Sequence, residues 1–385
     1  MPAVDLPIID VDAHWTEARD LWTSRAPADL KKRAPRIELV NGRENWVVDE
    51  DVLLGPVGLS VIRRDGTKQY EAMTLKTYDE FSASSYVPSE RLKVMDSHGI
   101  VAQIEYPNTL GTCGGKIMNI ADGRLREFCL QAYNDASAEV QEESGRRLFP
   151  QAVLPIWDID GALKELDRCR AMGLTGCVLT DKPEDWGLPA LNEPYWFPLW
   201  EALEALRLPV NFHVGGGADR DDYGAWLNMN YQQQLAAISV ITFMNNAKIM
   251  INCMFSGLLD RFPDLKFVSV ESGVGWVPFV LEAAEYQFDQ WFVDRKPVQR
   301  RPREYFSHNF YCSWWFEETD ILRDIQLLGE DRVMFETDFP HPTCLYPDVR
   351  GPLDRALAGA SDDLKKKLVY ENARHVYSLP LEPLG

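Results

Sequence analysis

The chain contains 385 residues, of which 45% are hydrophobic, so it can bury a core large enough for an α/β barrel in a single domain. Its 40 basic and 59 acidic residues give a formal net charge of −19. Phosphate groups and anionic lipids are bound by cationic patches, so this balance argues against a nucleic acid or a membrane surface as a partner. A small anionic substrate stays compatible with it, because one arginine or a metal ion can outweigh the overall field locally.

The seven cysteines are scattered and include no Cys-x-x-Cys pair, which predicts neither a disulfide framework nor a thiolate zinc site. A reducing cytoplasm is the compartment that fits this pattern. Residues 1–6 lack the basic segment and apolar run of a signal peptide, and no stretch reaches the ~18 uninterrupted apolar residues of a membrane span. We therefore expect a cytoplasmic protein without a membrane anchor.

The first predicted element is a short apolar strand at residues 8–14 that carries Asp12 and His14. Because side chains alternate along a strand, these two side chains share one face. Residues 20–45 mix charges with prolines and are predicted to be helix and loop, and a weakly alternating stretch after them ends at an Arg-Asp-Gly hairpin turn. Residues 20–85 contain too few apolar residues for a core of their own, so we interpret them as an insertion that caps the barrel mouth.

From Pro88 onward, helices and strands alternate regularly. We predict helices at residues 89–97, 119–144, 160–172, 194–206, 227–246, 257–262, 276–292 and 319–328. The predicted strands lie near residues 8, 101, 150, 175, 210, 267, 310 and 333. Eight strands alternating with helices predict a (β/α)8 TIM barrel. Residues 359–385 are expected to form a closing helix and a tail, so that residues 1–385 make one domain.

Four of the predicted strands end in side chains that bind metal ions. Strand one carries Asp12 and His14, strand five His213, strand six Glu271 and strand eight Asp338. The carboxyl ends of barrel strands converge on one face, so these side chains are expected to meet there. Imidazole and carboxylate groups are ligands of divalent zinc, manganese and iron. We therefore predict a site for one or two such ions.

Other residues near the strand ends have both a functional and a structural interpretation. His341, three residues beyond Asp338, is either a proton donor or substrate contact, or a structural residue of its loop. Asp10 is interpreted as structural, because it lies one pleat deeper than Asp12. Several aromatic and amide side chains that follow strand ends either line an apolar substrate pocket or pack in the core. They are Trp15, Tyr106, Asn108, Trp314 and Trp315.

Taken together, several motifs resemble those of the amidohydrolase-related family, in the branch that includes the ACMSD-like decarboxylases. They extend over nearly the whole chain, from residue 7 to residue 378, and comprise Asp12-Ala-His14, Phe212-His213-Val-Gly-Gly, Glu271-Ser-Gly-Val-Gly-Trp276, Thr337-Asp338-Phe-Pro-His341-Pro and Glu371-Asn-Ala-Arg374. The resemblance implies an enzyme that acts on a small molecule, with Asp12, His14, His213 and Asp338 as metal ligands. It also implies a homodimer.

Two positions depart from the family pattern. Asp12 stands where many members have histidine, and Glu271 stands where the decarboxylases commonly have histidine. A carboxylate at Glu271 can hold a second cation, so we expect hydrolysis of an ester, thioester or amide by metal-activated water, with Asp338 accepting the water proton. The alternative is a non-oxidative decarboxylase of an aromatic or unsaturated acid.

In either enzyme, Asp338, His341 and Glu271 are the expected catalytic residues. In the decarboxylase, Asp338 or His341 would protonate carbon. A barrel that binds a metal without catalysis is the third interpretation. The sequence leaves the substrate open, because loop residues set specificity on a shared barrel.

Overall fold

The computed structural model describes residues 6–69, 73–111, 113–216 and 228–384. Its strands are β1 (Ile8–Trp15), β2 (Arg36–Val40), β3 (Arg43–Val48), β4 (Val52–Pro56), β5 (Gly58–Leu59), β6 (Thr74–Leu75), β7 (Ile100–Pro107), β8 (Leu148–Pro150), β9 (Ala152–Val153), β10 (Cys177–Leu179), β11 (Val210–His213), β12 (Phe267–Val270), β13 (Phe310–Trp314) and β14 (Val333–Phe335).

The barrel wall is built from parallel strands. β1 pairs with β7 and β7 with β8, while β9 to β14 pair in sequence order. Gln151 alone separates β8 from β9, so these two segments fill one position of the wall. The barrel closes where Phe339 and Ala13 form a parallel β-bridge. There the carbonyl of Phe339 accepts a hydrogen bond of 2.7 Å from the N–H of His14. The (β/α)8 barrel predicted from the sequence is confirmed.

Helices alternate with the barrel strands. They are α1 (Leu21–Arg25), α2 (Pro88–His98), α3 (Gly123–Glu143), α4 (Ile159–Ala171), α5 (Phe197–Leu206), α6 (Tyr231–Thr242), α7 (Asn246–Phe255), α8 (Leu258–Arg261), α9 (Val277–Gln290), α10 (Pro302–Asn309), α11 (Ile321–Leu328), α12 (Arg350–Ala356), α13 (Asp362–Lys366) and α14 (Asn372–Val376). A π-helical turn, Lys367–Glu371, joins the last two.

Local chemistry sets where these helices begin and end. Pro88 opens α2 and Gly99 ends it with φ of 69°, a left-handed conformation that glycine adopts at low cost. Asp122 caps α3 by accepting hydrogen bonds from the backbone N–H groups of Arg124 and Leu125. These signals place the βα units that the sequence predicted.

The insertion between β1 and α2 contains more strand than the sequence predicted. β2, β3 and β4 form an antiparallel sheet, whereas we had expected helix and loop up to residue 45. The alternation in Arg36–Val40 is short and flanked by charges, which hides its strand period. Within the insertion, the rings of Trp22 and Trp46 lie 4.9 Å apart. Two hydrogen bonds join the insertion to the barrel: Nε1 of Trp22 donates to the carbonyl of Cys129 on α3 at 2.9 Å, and the carbonyl of Leu59 accepts from Asn108.

Within the part of the chain that the structure describes, three α-helices lie where none was predicted. α7, α10 and α12 occupy residues 246–255, 302–309 and 350–356. Each has ten residues or fewer, so its amphipathic pattern covers too few turns to stand out from its neighbours.

One segment has the length and hydropathy of a membrane-spanning helix. It covers Tyr231–Phe255, with a mean hydropathy of 1.2 and 17% of its most apolar window buried. The segment consists of two helices, α6 and α7, and the buried residues of α7 lie in the core of the barrel. Core helices of soluble proteins meet the same test, so length and composition alone are weak support for a span.

Candidate metal centre

The barrel brings the predicted metal-binding side chains together at the carboxyl ends of its strands. Asp12 and His14 belong to the last residues of β1, His213 is the last residue of β11, Glu271 follows β12 directly, and Asp338 lies three residues after β14. The side chains of all but Glu271 are fully buried, and that of Glu271 is 15% exposed. Convergence of parallel strand ends, rather than proximity in sequence, creates this cluster.

Short distances connect the five side chains. Nε2 of His213 lies 3.1 Å from Nε2 of His14, 3.4 Å from Oδ1 of Asp12 and 3.3 Å from Oε2 of Glu271. Nε2 of His14 lies 3.6 Å from Oδ1 of Asp338. The described residues contain two sets of four donors, and within each set the donor atoms all lie within 4.8 Å of one another; both sets include His14 and Glu271. One set adds Asp12 and His213, and the other adds Asp338 and His341.

The two strand-end imidazoles are oriented as metal ligands usually are. Nδ1 of His213 lies 2.8 Å from the carbonyl oxygen of Val214, and Nδ1 of His14 lies 3.3 Å from that of Pro107. If each Nδ1 carries the proton, the two Nε2 lone pairs face each other across 3.1 Å. Both carboxylate oxygens of Asp12 are buried with no hydrogen-bond partner among the described residues. A divalent cation satisfies all of these donors at once, so the residues fit such an ion.

Burial and mutual repulsion shift the protonation of the cluster. Burial, followed by the Asp338 and Glu271 carboxylates, raises the pKa of Asp12 well above its usual value. Burial also raises the pKa of Asp338 to about 8 and that of Glu271 to about 7. It lowers the pKa of His341 to about 4. Without a cation the carboxylates therefore retain protons near neutral pH, and a bound cation reverses this preference.

This protonation predicts an unusual pH dependence for metal-free protein. The folded state holds protons on Asp338 and Glu271 up to about pH 8 and 7, whereas unfolded carboxyls release them near pH 4. Stability in chelator should therefore fall as pH rises through this window, by up to about 1.4 kcal/mol per pH unit for each proton. Added Mn²⁺ should stabilise more at pH 8 than at pH 6. Thermal melts with EDTA and with Mn²⁺ test this, and equal stabilisation by the metal at both pH values would contradict it.

Two cluster residues have left-handed backbone. Glu271 has φ of 51° and Asp338 has φ of 62°, values that cost non-glycine residues about 1–2 kcal/mol. The N–H of Asp338 donates to the carbonyl of Asp12 at 2.9 Å, and that of Glu271 donates to Oε2 of Glu336 at 3.3 Å. These contacts hold both side chains towards the cluster. Strain of this kind is typical of functional sites.

His341 joins the cluster from the loop after β14. Its Nδ1 lies 2.7 Å from Oδ1 of Asp338, and its ring stacks on that of His14 with centroids 3.8 Å apart. The position agrees with the interpretation of His341 as a proton-transfer or substrate-contacting residue, although its role stays a prediction.

Asp10 lies outside the cluster. Its carboxylate accepts hydrogen bonds from the N–H and Oγ1 of Thr337, at 2.8 and 2.6 Å, and from Nε2 of Gln103 at 2.8 Å. A register irregularity between Asp10 and Ala13 breaks the simple alternation assumed from the sequence. Asp10 thus ties β1 to β7 and to the residue before Asp338.

Two buried residues around the site were given no functional role from the sequence, and Glu336 was interpreted only as a helix cap or turn former. Glu336 is fully buried and contacts the backbone of Glu271, and its position two residues before Asp338 was the available signal. Arg91 is 2% exposed and donates to the carbonyl of His14 at 2.6 Å and to Oε1 of Glu105 at 2.7 Å. Arg91 lies among charged neighbours on α2, so nothing in the sequence distinguishes it from a solvent-exposed helix residue.

Of the five predicted pocket residues, Tyr106 lies beside the cluster, with its ring 5.0 Å from that of His213. The ring of Trp315 lies 5.2 Å from that of Phe243, which follows α6. The remaining three residues contact structural partners. Trp15 packs on Tyr133 at 5.9 Å, Trp314 packs on Phe335 at 5.0 Å, and Asn108 donates to Thr16 and to the insertion.

Comparison with known proteins identifies the chain's relatives. The amidohydrolase family profile matches residues 88–379. A γ-resorcylate decarboxylase of Polaromonas sp. strain JS666 is 26% identical over 314 residues, which cover 76% of this chain and 88% of the relative. A 2-amino-3-carboxymuconate-6-semialdehyde decarboxylase of Dictyostelium discoideum is 28% identical over 252 residues, covering 63% of this chain and 64% of the relative.

A solved structure has the same fold. A dihydroxybenzoic acid decarboxylase from Polaromonas sp. JS666, with bound manganese and the inhibitor 2-nitroresorcinol, superposes with a TM-score of 0.62. It is 19% identical, and the alignment covers 98% of both chains.

These relatives overturn the expectation of hydrolysis. The two relatives described above are named decarboxylases, so the ester, thioester or amide hydrolase inferred from Glu271 was wrong. The geometry explains the error, because Glu271 shares one set of four donors with Asp12, His14 and His213, so a single cation can bind its carboxylate without a second hydrolytic ion. With a family profile matched over most of its length, this chain belongs to the amidohydrolase family, in its ACMSD-like branch.

Proposed function

We propose that the chain is a metal-dependent, non-oxidative decarboxylase of an aromatic or unsaturated carboxylic acid. The observation that carries this proposal is the buried cluster of imidazoles and carboxylates at the carboxyl ends of the barrel strands. The proposal is also supported by a relative that is named a decarboxylase and aligns with 76% of this chain.

Asp12, His14, His213 and Asp338 are the residues that would hold a divalent cation, with Glu271 beside them. Zinc, manganese and iron all accept this set of nitrogen and oxygen donors, and manganese is bound in the Polaromonas structure. When bound, such a cation supplies a positive centre for a carboxylate and an adjacent oxygen of the substrate.

Asp338 and His341 are the pair to which we assign the proton. Their closest atoms are 2.7 Å apart, Asp338 is fully buried, and His341 is 12% exposed. The proton held between Oδ1 of Asp338 and Nδ1 of His341 passes to the carbon that bears the substrate carboxylate. The bond from this carbon to the carboxylate then breaks, its electron pair stays with the carbon, and CO2 leaves. The Asp338–His341 pair regains a proton from solvent.

Tyr106 and the histidine rings supply flat surfaces for an unsaturated substrate. The ring of Tyr106 lies 5.0 Å from that of His213 and 6.2 Å from that of His14, and all three are buried. Rings at such distances make tilted and edge contacts with one another, and a planar ligand that reaches them can make contacts of the same kind.

The test is carbon dioxide release from a panel of acids. Manganese-loaded protein should release CO2 from ortho-hydroxybenzoates, with γ-resorcylate as the first probe, and should place deuterium from D2O on the carbon that lost the carboxylate. Benzoate esters and thioesters serve as hydrolysis controls. Metal-dependent ester cleavage, with no CO2 from any aromatic or unsaturated acid, would refute the proposal.

Replacing Glu271, which departs from the family pattern, with glutamine tests what this carboxylate contributes to turnover and to metal binding. We expect turnover to fall about 10- to 100-fold, as for residues that orient a metal ligand. The metal content should stay at the wild-type level, because Asp12, His14, His213 and Asp338 remain. Elemental analysis and steady-state kinetics measure both quantities. A drop in metal content to half would show instead that Glu271 holds a second ion.

We infer that the partner of the site is a small molecule, as the names of the relatives support. The cytoplasmic location and the homodimer expected from the sequence stay predictions, as does the division of residues 1–385 into one domain with the insertion at 20–85 and the tail at 359–385.

A further inference from the structure

The barrel closes at a seam between its first and last strands, β1 and β14. These two strands belong to separate hydrogen-bonded sheets, and they meet at the isolated bridge between Ala13 and Phe339. Residues that would hold the metal lie on both sides of the seam, with Asp12 and His14 on β1 and Asp338 after β14. The relative position of these residues therefore depends on the contacts that cross the seam.

The side chain of Asp10 supplies four of these contacts. Its Oδ1 accepts hydrogen bonds from the backbone N–H of Thr337 at 2.8 Å and from that of Asp12 at 3.2 Å. Its Oδ2 accepts from Oγ1 of Thr337 at 2.6 Å and from Nε2 of Gln103 on β7 at 2.8 Å. Thr337 directly precedes Asp338. One carboxylate thus holds the backbone of Asp12 on one side of the seam and the backbone next to Asp338 on the other.

Backbone hydrogen bonds continue the seam beyond Asp10. The N–H of Asp338 donates to the carbonyl of Asp12 at 2.9 Å, and the N–H of His14 donates to the carbonyl of Phe339 at 2.7 Å. Asp338 has φ of 62°, a conformation that is unfavourable for residues other than glycine and persists only where its surroundings hold it. The contacts from Asp10 to Thr337 fix the residue directly before this strained position.

The network around Asp10 is buried, and every hydrogen bond in it points towards the carboxylate. Asp10, Gln103 and Thr337 are all buried. Oε1 of Gln103 accepts from Nη1 of Arg91 at 3.2 Å, so the Gln103 amide cannot reverse without placing its N–H groups against the guanidinium. Four donors therefore converge on two oxygen atoms. A carboxylate can accept all four hydrogen bonds, whereas an amide of the same size cannot.

We propose that Asp10 is a positioning residue, which fixes the separation between the ligands of the first and last strands and thereby sets the affinity for the divalent cation. This role rests on the proposed function, because it needs the metal centre assigned there. A residue that serves only to fold the barrel would change the stability of the protein but not the affinity of the folded protein for metal. Partners that orient metal ligands typically contribute about 10- to 100-fold in metal affinity.

The test is retention of Mn²⁺ by the loaded, full-length protein in equilibrium competition with EDTA. Asp10→Asn keeps the size of the side chain but turns one acceptor into a donor, so one or more of the four donors loses its partner. We expect this variant to bind Mn²⁺ about 10- to 100-fold more weakly than the wild type. Thr337→Val removes the hydroxyl donor and should weaken binding in the same direction. Thr337→Ser keeps the hydroxyl and should bind Mn²⁺ like the wild type.

Glu165→Gln is the matched control for a buried carboxylate. Glu165 lies on α4, is 3% exposed, accepts from Asn134 at 2.6 Å and pairs with Arg168 at 2.6 Å. Its replacement changes a buried carboxylate to an amide without touching the seam. Urea unfolding should show a loss of stability in this variant, while its affinity for Mn²⁺ should equal that of the wild type.

Circular dichroism establishes which variants are folded. If Asp10→Asn does not fold, the Thr337 pair decides, and equal Mn²⁺ affinity in Thr337→Val and Thr337→Ser overturns the proposal. Wild-type affinity in a folded Asp10→Asn, or an equal loss of affinity in Glu165→Gln, overturns it as well. Weaker binding by Asp10→Asn supports the positioning role even if the wild type releases no CO2, a result that would refute the decarboxylase alone. A wild type that binds no Mn²⁺ would overturn both.

Discussion

Replacing His213 with alanine is expected to abolish decarboxylation while the barrel stays folded. Nε2 of His213 lies within 3.4 Å of Asp12, His14 and Glu271, so its removal takes a central donor from the cluster. Loss of a residue that merely orients a metal ligand typically costs about 10- to 100-fold in affinity or activity, and loss of the ligand itself should exceed this. Metal content and CO2 release measure the two effects.

A second histidine provides the control for this variant. His308 is half exposed and lies 3.4 Å from Asp264 on the surface, where ion pairs contribute little. His308→Ala should keep the wild-type metal content and turnover. If His213→Ala retained both as well, the proposed metal centre would be wrong.

The sequence predicted the barrel and the members of the cluster for a clear physical reason. Parallel strand ends meet at one face, so Asp12, His213 and Asp338 could be placed together from their positions at the ends of buried strands. The spacing of these residues along the chain does not show that they are close in space. Their proximity follows from the meeting of parallel strand ends at one face of the barrel.

What the sequence could not predict depends on tertiary partners. Asp10 was interpreted as structural from the sequence, but the register irregularity between Asp10 and Ala13 was not predicted, because a break in register leaves no trace in the residue pattern. Glu271 was interpreted as a sign of hydrolysis, since a sequence shows a carboxylate but not the donor set with Asp12, His14 and His213 in which the fold places it. The strand β2 was not predicted, because a run of five residues between charged flanks is too short to show the two-residue alternation of a strand.

Replacement of Arg91, a buried residue outside the cluster, is expected to destabilise the fold strongly. Its guanidinium is buried, lies 2.7 Å from the buried Oε1 of Glu105 and donates at 2.6 Å to the carbonyls of Ser84 and His14. Arg91→Met leaves the Glu105 carboxylate and both carbonyls without this donor. Breaking a buried ion pair from one side costs about 3–5 kcal/mol.

Urea unfolding of Arg91→Met measures this cost, and two comparisons interpret it. Arg355→Met removes an exposed pair with Glu318 and should cost at most about 1 kcal/mol. Burial raises the pKa of Glu105 to about 7 even beside Arg91, so without Arg91 the carboxyl takes up a proton more readily. The loss of stability should therefore be smaller at pH 6 than at pH 8. An equal cost for Arg91→Met and Arg355→Met would show that the Arg91 pair contributes no more than a surface contact, and that the carbonyl of His14 is held in place by the strand hydrogen bonds of β1 alone.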